Sequence, residues 1–149
     1  MIPLDVFFGR LATFRFRRIF DGVQAPWEPV GRRSAFIRDE LARLAKEPGV
    51  LVREELEGLS GHTVRREDGS VAEQLLLAEA LVRVPADTLI AEHAVFLGRG
   101  TTIEPGVIIK PLALIAEENE LRQGAYLRGN VIIGCRSVIG HTTEVKGSV

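Results

Sequence analysis

Three basic residues recur at a spacing of 18 in the second half of the chain: Lys110, Arg128 and Lys146. Arginine presents a planar fork of N–H donors and lysine a point charge, and both suit the oxygens of a phosphate group. If the fold stacks the three cations, their repulsion favours a bound anion between them. A phosphate-binding site is therefore one interpretation. The other is a solvated surface row, partly neutralised by Glu92 and Glu144.

The elements that must position these cations are short strands with a period of six residues. From Leu97 onward, every sixth residue is a branched aliphatic, and the residue four places later is small or of medium size. The aliphatic series is Leu97, Ile103, Ile109, Ile115, Leu121, Leu127, Ile133, Ile139 and Val145. On an α-helix, six residues turn the chain by about 240°, which would scatter this series over three sides. An even period instead preserves the inward and outward alternation of a strand. Glycines at 98, 100, 106, 124, 129, 134 and 140 are expected to supply the bends.

Hexapeptide repeats of this kind are typical of a parallel β-helix, in which three hexapeptides form one coil of 18 residues. Residues 18 apart then lie above one another at about 4.8 Å, the spacing of paired strands. We therefore predict a mainly β fold, with the β-helix over residues 84–149 and an irregular first coil. Of its three corners, only the one with Lys110, Arg128 and Lys146 is basic in every coil.

Residues 1–83 are predicted to form an α-rich region that covers the open end of the β-helix and hides its edge. Ser34 is expected to cap a helix over 35–46. Residues 4–20 fit either a second short helix or an irregular segment laid over the first coil. Around residues 68–69, Asp-Gly, the pattern fits a hairpin turn, whereas residues 72–81 could equally be helical.

A second set of residues spaced by 18, Phe96, Leu114 and Ile132, is apolar and faces outward in the predicted coils. Exposed apolar surface of this kind commonly marks a subunit interface, so we predict self-association through this face. The alternative is that the N-terminal segment covers it.

Composition restricts the classes of function. With 19 Lys and Arg against 20 Asp and Glu, the net charge of -1 argues against a generally cationic surface for nucleic acid or anionic lipid. The single cysteine, Cys135, excludes an internal disulfide and any multi-cysteine metal site, so no metal is expected. The N-terminus reaches arginine too early for a signal peptide, and no later run is long enough to span a membrane. We expect a soluble, cytoplasmic protein.

The run GAYLRGNVIIGCRSVIGHTTEVKGS, residues 124–148, carries a resemblance to a known family. It resembles the hexapeptide transferase superfamily, and within it the acetyltransferase domains of the bifunctional N-acetylglucosamine-1-phosphate uridylyltransferases/glucosamine-1-phosphate N-acetyltransferases and their short stand-alone relatives. The leader FDGVQAPWEPV, residues 20–30, is similar to the aromatic motif that precedes the coils in those relatives. The resemblance is close from Ala94 onward and loose over residues 48–84. It implies a left-handed coil and a homotrimer.

The resemblance also implies a substrate. In that family the arginine of the LR motif and the lysine of EVK bind the sugar phosphate, and Arg128 and Lys146 occupy those positions here. The assignment of Lys110 to this site rests only on its predicted stacking with Arg128 and Lys146. Acetyl-CoA is the implied cofactor of a complete protein, and none is expected for this chain alone.

The family's catalytic base is a histidine roughly a dozen residues beyond EVK, whereas this sequence ends at Val149, so we expect a piece truncated within its β-helix. His62, His93 and His141 lie in no matching motif, and no catalytic residue is predicted. Two hypotheses follow. In the first, the parent protein is an acetyl-CoA-dependent acyltransferase acting on a sugar phosphate such as glucosamine-1-phosphate, and this chain carries the start of the site. In the second, it is a non-catalytic oligomerising scaffold or sugar-phosphate-binding module.

Overall fold

The structure is a computed structural model that describes residues 3–149. It is mainly sheet, as predicted, and its helices lie in the first third of the chain apart from one short turn. Two α-helices, α1 (Leu4–Phe7) and α2 (Glu28–Leu44), are accompanied by 3₁₀ turns at Leu11–Thr13, Arg17–Phe20 and Ala91–His93.

Fourteen strands follow α2. The first five are β1 (Leu51–Arg53), β2 (Leu59–Arg65), β3 (Val71–Ala78), β4 (Val82–Arg83) and β5 (Thr88–Ile90). The other nine are very short: β6 (Val95–Leu97), β7 (Thr102–Ile103), β8 (Ile108–Ile109), β9 (Ala113–Ile115), β10 (Glu120–Leu121), β11 (Tyr126–Leu127), β12 (Val131–Ile133), β13 (Val138–Ile139) and β14 (Glu144–Val145). We call residues 95–149, which contain these nine strands, the repeat region.

The repeat region distributes its strands over three sheets in strict rotation. Strands β6, β9 and β12 pair in parallel in the first sheet, β7, β10 and β13 in the second, and β8, β11 and β14 in the third. In the first sheet Phe96 pairs with Leu114 and Leu114 with Ile132, a step of 18 residues each time. The parallel pairing and its 18-residue step agree with the sequence-based prediction.

The interior of the repeat region is formed by the predicted aliphatic series. Its members from Leu97 to Leu127 are fully buried, and Ile133 is 7% exposed. Ile139 and Val145 are only partly buried, because β13 and β14 are the outermost strands of their sheets. Burial of each such side chain contributes about 1.5–3 kcal/mol, so the aliphatic series is the main source of stability in the region.

The bends between strands share one backbone feature, a positive φ that recurs every six residues. Every sixth residue from 94 to 142 has a positive φ, between 50° and 88°: Ala94, Gly100, Gly106, Leu112, Glu118, Gly124, Asn130, Arg136 and Thr142. Only three of the glycines expected at bends belong to this series. Gly98 has no positive φ, and a Cβ built on it would lie 2.3 Å from the carbonyl carbon of Ala116. Its role is therefore close approach between neighbouring strands, and the expectation that Gly98 supplies a bend is wrong. Gly129, outside this series, lies at a bend as expected, with a φ of 87°.

The first strands of the repeat region are closed by antiparallel partners. Strand β5 pairs with β6, β4 with β7 and β3 with β8, so each of the three sheets receives a strand from residues 71–90. Strands β2 and β3 form an antiparallel hairpin whose turn contains Asp68, and residues 72–81 do not form a helix. The open edges of the three sheets are thus covered, as expected, but the cover consists of strands and not of helices.

Helix α2 begins earlier than predicted. It starts at Glu28, whose Oε1 accepts hydrogen bonds from the backbone N–H groups of Gln24 and Ala25 at 3.2 and 2.8 Å, and Pro29 occupies the first turn. The expectation that Ser34 caps this helix is wrong, because Ser34 lies inside it. Its hydroxyl instead donates to Oδ1 of Asn130 at 2.6 Å.

The N-terminal segment and α2 cover the outward apolar face of the first sheet. Phe96 and Leu114 are fully buried and Ile132 is 2% exposed. They pack in one cluster with Phe16, Ile19, Phe20, Ile37, Leu41 and Leu44. The prediction that a second copy of the chain binds this face is therefore wrong, because residues 16–44 already bury it. Of the two alternatives for residues 4–20, the irregular segment describes them better, since α1 has only four residues.

A buried polar ladder runs through one corner of the repeat region, at positions spaced by 18. The side chain of Asn119, 1% exposed, donates from Nδ2 to the carbonyl of Ala116 at 2.8 Å and accepts from the amide of Ser137 at 2.7 Å. The hydroxyl of Thr101 donates to the same Ala116 carbonyl at 3.0 Å. These bonds satisfy backbone groups where the chain turns between strands.

We expect Asn119→Leu to lower the free energy of unfolding by about 2–4 kcal/mol, because it leaves the Ser137 amide without a partner and removes one of the two donors to the Ala116 carbonyl. Chemical denaturation with urea measures the loss. Gln123→Leu, at an exposed position, is the control and should change stability by less than about 0.5 kcal/mol. Equal effects of the two substitutions would contradict the structural role of Asn119.

Gly98→Ala should destabilise the protein by about 3 kcal/mol or more, because the new methyl group meets the backbone of the neighbouring strand. Gly134, which lies 36 residues further in the same column, provides a matched control: its Cβ would only touch the Phe14 ring at 3.4 Å. Gly134→Ala should therefore cost at most about 1 kcal/mol. Thermal denaturation of the two variants checks this order, and the reverse order would refute the close approach at Gly98.

Candidate functional site

The third sheet positions the three candidate cations. Leu127 of β11 pairs with Ile109 on one side and with Val145 on the other. The residue after each inward aliphatic continues the ladder: the amide of Lys110 donates to the carbonyl of Leu127, and that of Arg128 to the carbonyl of Val145, both at 2.9 Å. Lys110, Arg128 and Lys146 therefore occupy successive levels of one edge, which we call the basic corner.

Lys110 is paired with a carboxylate from outside the repeat region. Its Nζ contacts Oε1 of Glu73 on strand β3, and it also lies 5.2 Å from the centre of the Tyr126 ring. The hydrogen bond to Glu73, followed by that to Tyr126, raises the pKa of Lys110. The sequence indicates Glu92 as a neutralising group, whereas the carboxylate that pairs with Lys110 is Glu73. No sequence pattern indicates Glu73, because the hairpin that carries it fits a helix equally well.

Arg128 is paired with Glu144, one of the two carboxylates that the surface-row interpretation names as neutralising groups. Its Nη1 donates to Oε1 of Glu144 at 2.9 Å, and both side chains are largely exposed. The Glu144 hydrogen bond is also the main reason that the pKa of Arg128 is raised. The guanidinium lies 6.0 Å from the centre of the Tyr126 ring, so Lys110 and Arg128 both lie close to this ring. Tyr126 is a further residue of the corner that no spacing rule had indicated.

Lys146 is the one member of the basic corner without a carboxylate partner among residues 3–149. It is exposed, and it follows Val145 in the outermost strand of the sheet. Three cations thus share two carboxylates, Glu73 and Glu144. The corner retains a net positive charge at its Lys146 end, where a phosphate group would find donors that no protein group uses.

The three histidines lie elsewhere. His62 is on strand β2, with Nε2 4.0 Å from Oε1 of Glu79. His93 is 6% exposed, and neither of its ring nitrogens has a hydrogen-bond partner. His141 is exposed at a bend after β13. No ion pair joins any of the three histidines to Lys110, Arg128 or Lys146, so the groups beside the cations at the corner are Glu73, Glu144 and Tyr126.

Comparison with known proteins gives no relative: no family model, no curated protein and no solved structure matches the chain. Over residues 3–149, no helix is both long and apolar enough to cross a lipid bilayer. In the same residues, no cluster of three or more histidine, cysteine or acidic side chains could hold a metal ion.

We expect Glu144→Gln to leave the midpoint of thermal unfolding unchanged, because an exposed ion pair contributes little to stability. Glu40→Gln is the contrasting variant: Glu40 is 3% exposed and accepts hydrogen bonds from Arg18 at 3.2 Å and from Arg43 at 2.6 Å, so its loss should lower the midpoint. If Glu144→Gln were as destabilising as Glu40→Gln, the Arg128–Glu144 pair would be structural, and Arg128 would not be free to bind a ligand.

Proposed function

We propose that the chain binds the phosphate group of a sugar phosphate, such as glucosamine-1-phosphate, through Arg128 and Lys146, with Lys110 as a third cation. The observation that carries this proposal is the ladder register, which places the three residues at successive levels of one edge. The LR and EVK motifs that suggested Arg128 and Lys146 are independent of that register, and both lead to the same pair.

Charge balance supports an anionic ligand. Paired strands lie about 4.8 Å apart, so cations at successive levels repel one another unless opposite charge is near. Glu73 and Glu144 compensate two of the three charges. A phosphate dianion would compensate the third, and it offers Arg128 more acceptor oxygens than Glu144 does. Because the Arg128–Glu144 pair is exposed, exchanging the carboxylate for a phosphate costs little.

For the fold, we propose a left-handed parallel β-helix of the hexapeptide transferase superfamily. The 18-residue step between paired strands, the positive φ at every sixth residue and the buried aliphatic series all support a coil of three hexapeptides. The left hand itself, and a homotrimer, come from the family resemblance. Because Phe96, Leu114 and Ile132 are covered, a trimer would have to use other surfaces.

The acyltransferase assignment extends this binding site to a reaction. Fixing the phosphate would hold the sugar in one orientation and so align its amine for acyl transfer. The apolar cavity beside the N-terminal segment, lined by Phe8, Phe14 and Val149, does not fit acetyl-CoA, because it offers the single cation Arg10 to a cofactor with three phosphate groups. We therefore assign no residue to the acyl donor.

A sugar-phosphate-binding module without catalysis is the second candidate function. The basic corner itself supports this candidate, because it offers cations to a phosphate group, whereas we assign no residue to the acyl donor. The two candidates share the phosphate site and differ only in whether bound sugar phosphate reacts.

Binding is tested by isothermal titration with glucosamine-1-phosphate. We expect Arg128→Ala and Lys146→Ala each to weaken binding by about 10- to 100-fold, since each removes charge-assisted hydrogen bonds worth about 1.5–3 kcal/mol. Arg122→Ala is the matched control, because Arg122 is an exposed arginine paired with Glu120 at another corner. Unchanged affinity in both corner variants would remove the case for the site. Release of CoA thiol from acetyl-CoA in the same mixture would favour the acyltransferase over the binding module.

A further inference from the structure

A fourth cation, Arg33 of α2, lies beside the basic corner although no sequence motif indicates it. A Cβ atom built on Gly147 would lie 2.6 Å from Nη2 and 3.1 Å from Cζ of Arg33, so the guanidinium packs against the backbone next to Lys146. The amide of Gly147 in turn donates to the carbonyl of Gly129, the residue after Arg128, at 3.4 Å. The Arg33 guanidinium thus packs beside Lys146, and the next level of the edge holds Gly129, which follows Arg128.

The hydrogen-bonding capacity of Arg33 is largely unused. Its Nη1 donates to the carbonyl of Val30 within the helix, whereas Nε is buried and has no hydrogen-bond partner. Among residues 3–149, no carboxylate lies within 4.0 Å of this guanidinium. Because no carboxylate is near, the guanidinium carries an uncompensated positive charge, which an anion at the corner would compensate.

The position of Arg33 is fixed by its neighbours on α2. The hydroxyl of Ser34 donates to Oδ1 of Asn130 at 2.6 Å, and Ile37, one turn further, is fully buried against the first sheet. Gly147 has a φ of 51° and carries no side chain, which lets the guanidinium approach the backbone. Arg33 is therefore held in place by the fold, unlike the long side chains of an open surface.

We propose that Arg33 is a phosphate-binding residue of the basic corner and that it acts together with Lys146. This inference deepens the proposed function and rests on it for the sugar part of the ligand. In the unliganded protein, Arg128 and Lys110 are paired with Glu144 and Glu73. Arg33 and Lys146 supply the uncompensated positive charge, and a phosphate group takes its first hydrogen bonds from them.

The test is titration of inorganic phosphate and of glucosamine-1-phosphate into the full chain and its variants. Arg33→Gln should weaken the binding of both ligands about tenfold or more, and Arg33→Lys should weaken it less, because the charge remains while the planar fork is lost. Arg38→Gln, an exposed arginine on the same helix, is the control and should bind as the parent chain does. Circular dichroism and the unfolding midpoint verify that each variant is folded.

A double variant, Arg33→Gln with Lys146→Ala, tests whether the two residues bind the same group. The combined loss of phosphate affinity should be smaller than the product of the two single losses, because either change alone removes part of one shared contact. If the loss of phosphate affinity in the double variant equals the product of the two single losses, the two residues act independently and the proposed joint action is overturned.

The other outcomes separate this inference from the proposed function. If Arg128→Ala and Lys146→Ala weaken binding while Arg33→Gln does not, the role of Arg33 is overturned and the sugar-phosphate site stands. If Arg33→Gln weakens binding of inorganic phosphate while Arg128→Ala has no effect and the sugar phosphate binds no better, Arg33 belongs to an anion site and the proposed function is overturned. Absence of binding by the parent chain overturns both.

Discussion

The backbone ladder between strands 18 residues apart is the constraint on which the other features of the structure depend. It pairs Leu127 with Ile109 and Val145, and so determines which side chains face the interior. A slip of one residue would turn the aliphatic series outward and expose it to water, at a cost of about 1.5–3 kcal/mol for each side chain. The same register stacks Asn119 between Thr101 and Ser137, and it aligns the three cations along one edge. Core, polar ladder and basic corner are consequences of one pairing.

The apolar core also offsets two unfavourable features. Six residues other than glycine adopt positive φ at the bends, among them Leu112 and Arg136, and a left-handed conformation costs roughly 1–2 kcal/mol for each such residue. Like charges stacked at the basic corner add electrostatic repulsion. The interior aliphatics, fully buried over most of the series, outweigh both terms. A surface row that is poor for stability is thereby maintained.

The N-terminal segment joins the core to the candidate site. Residues 16–44 bury the apolar face of the first sheet, with Phe16 packed edge-on against Phe96 at a centroid distance of 6.3 Å. Arg15 anchors this segment through ion pairs with Asp87 at 2.7 Å and with Glu117 at 3.3 Å. The packing that shields Phe96 also brings the first half of α2 to the edge where Gly129 and Gly147 lie. A structural contact and a candidate ligand contact therefore come from the same helix.

The amino-acid sequence by itself determined the six-residue period, the buried aliphatic series and the common edge of Lys110, Arg128 and Lys146. These depend on spacing along the chain, which the strand ladder converts directly into spatial order. The cover over Phe96, the start of α2, the Glu73 partner of Lys110 and the position of Arg33 were decided by the tertiary structure alone. Each joins segments far apart in the sequence, and no local period records which segment packs on which. The hairpin of β2 and β3 shows the same limit, because a pattern that fits both helix and strand is resolved only by the sheet edge that it joins.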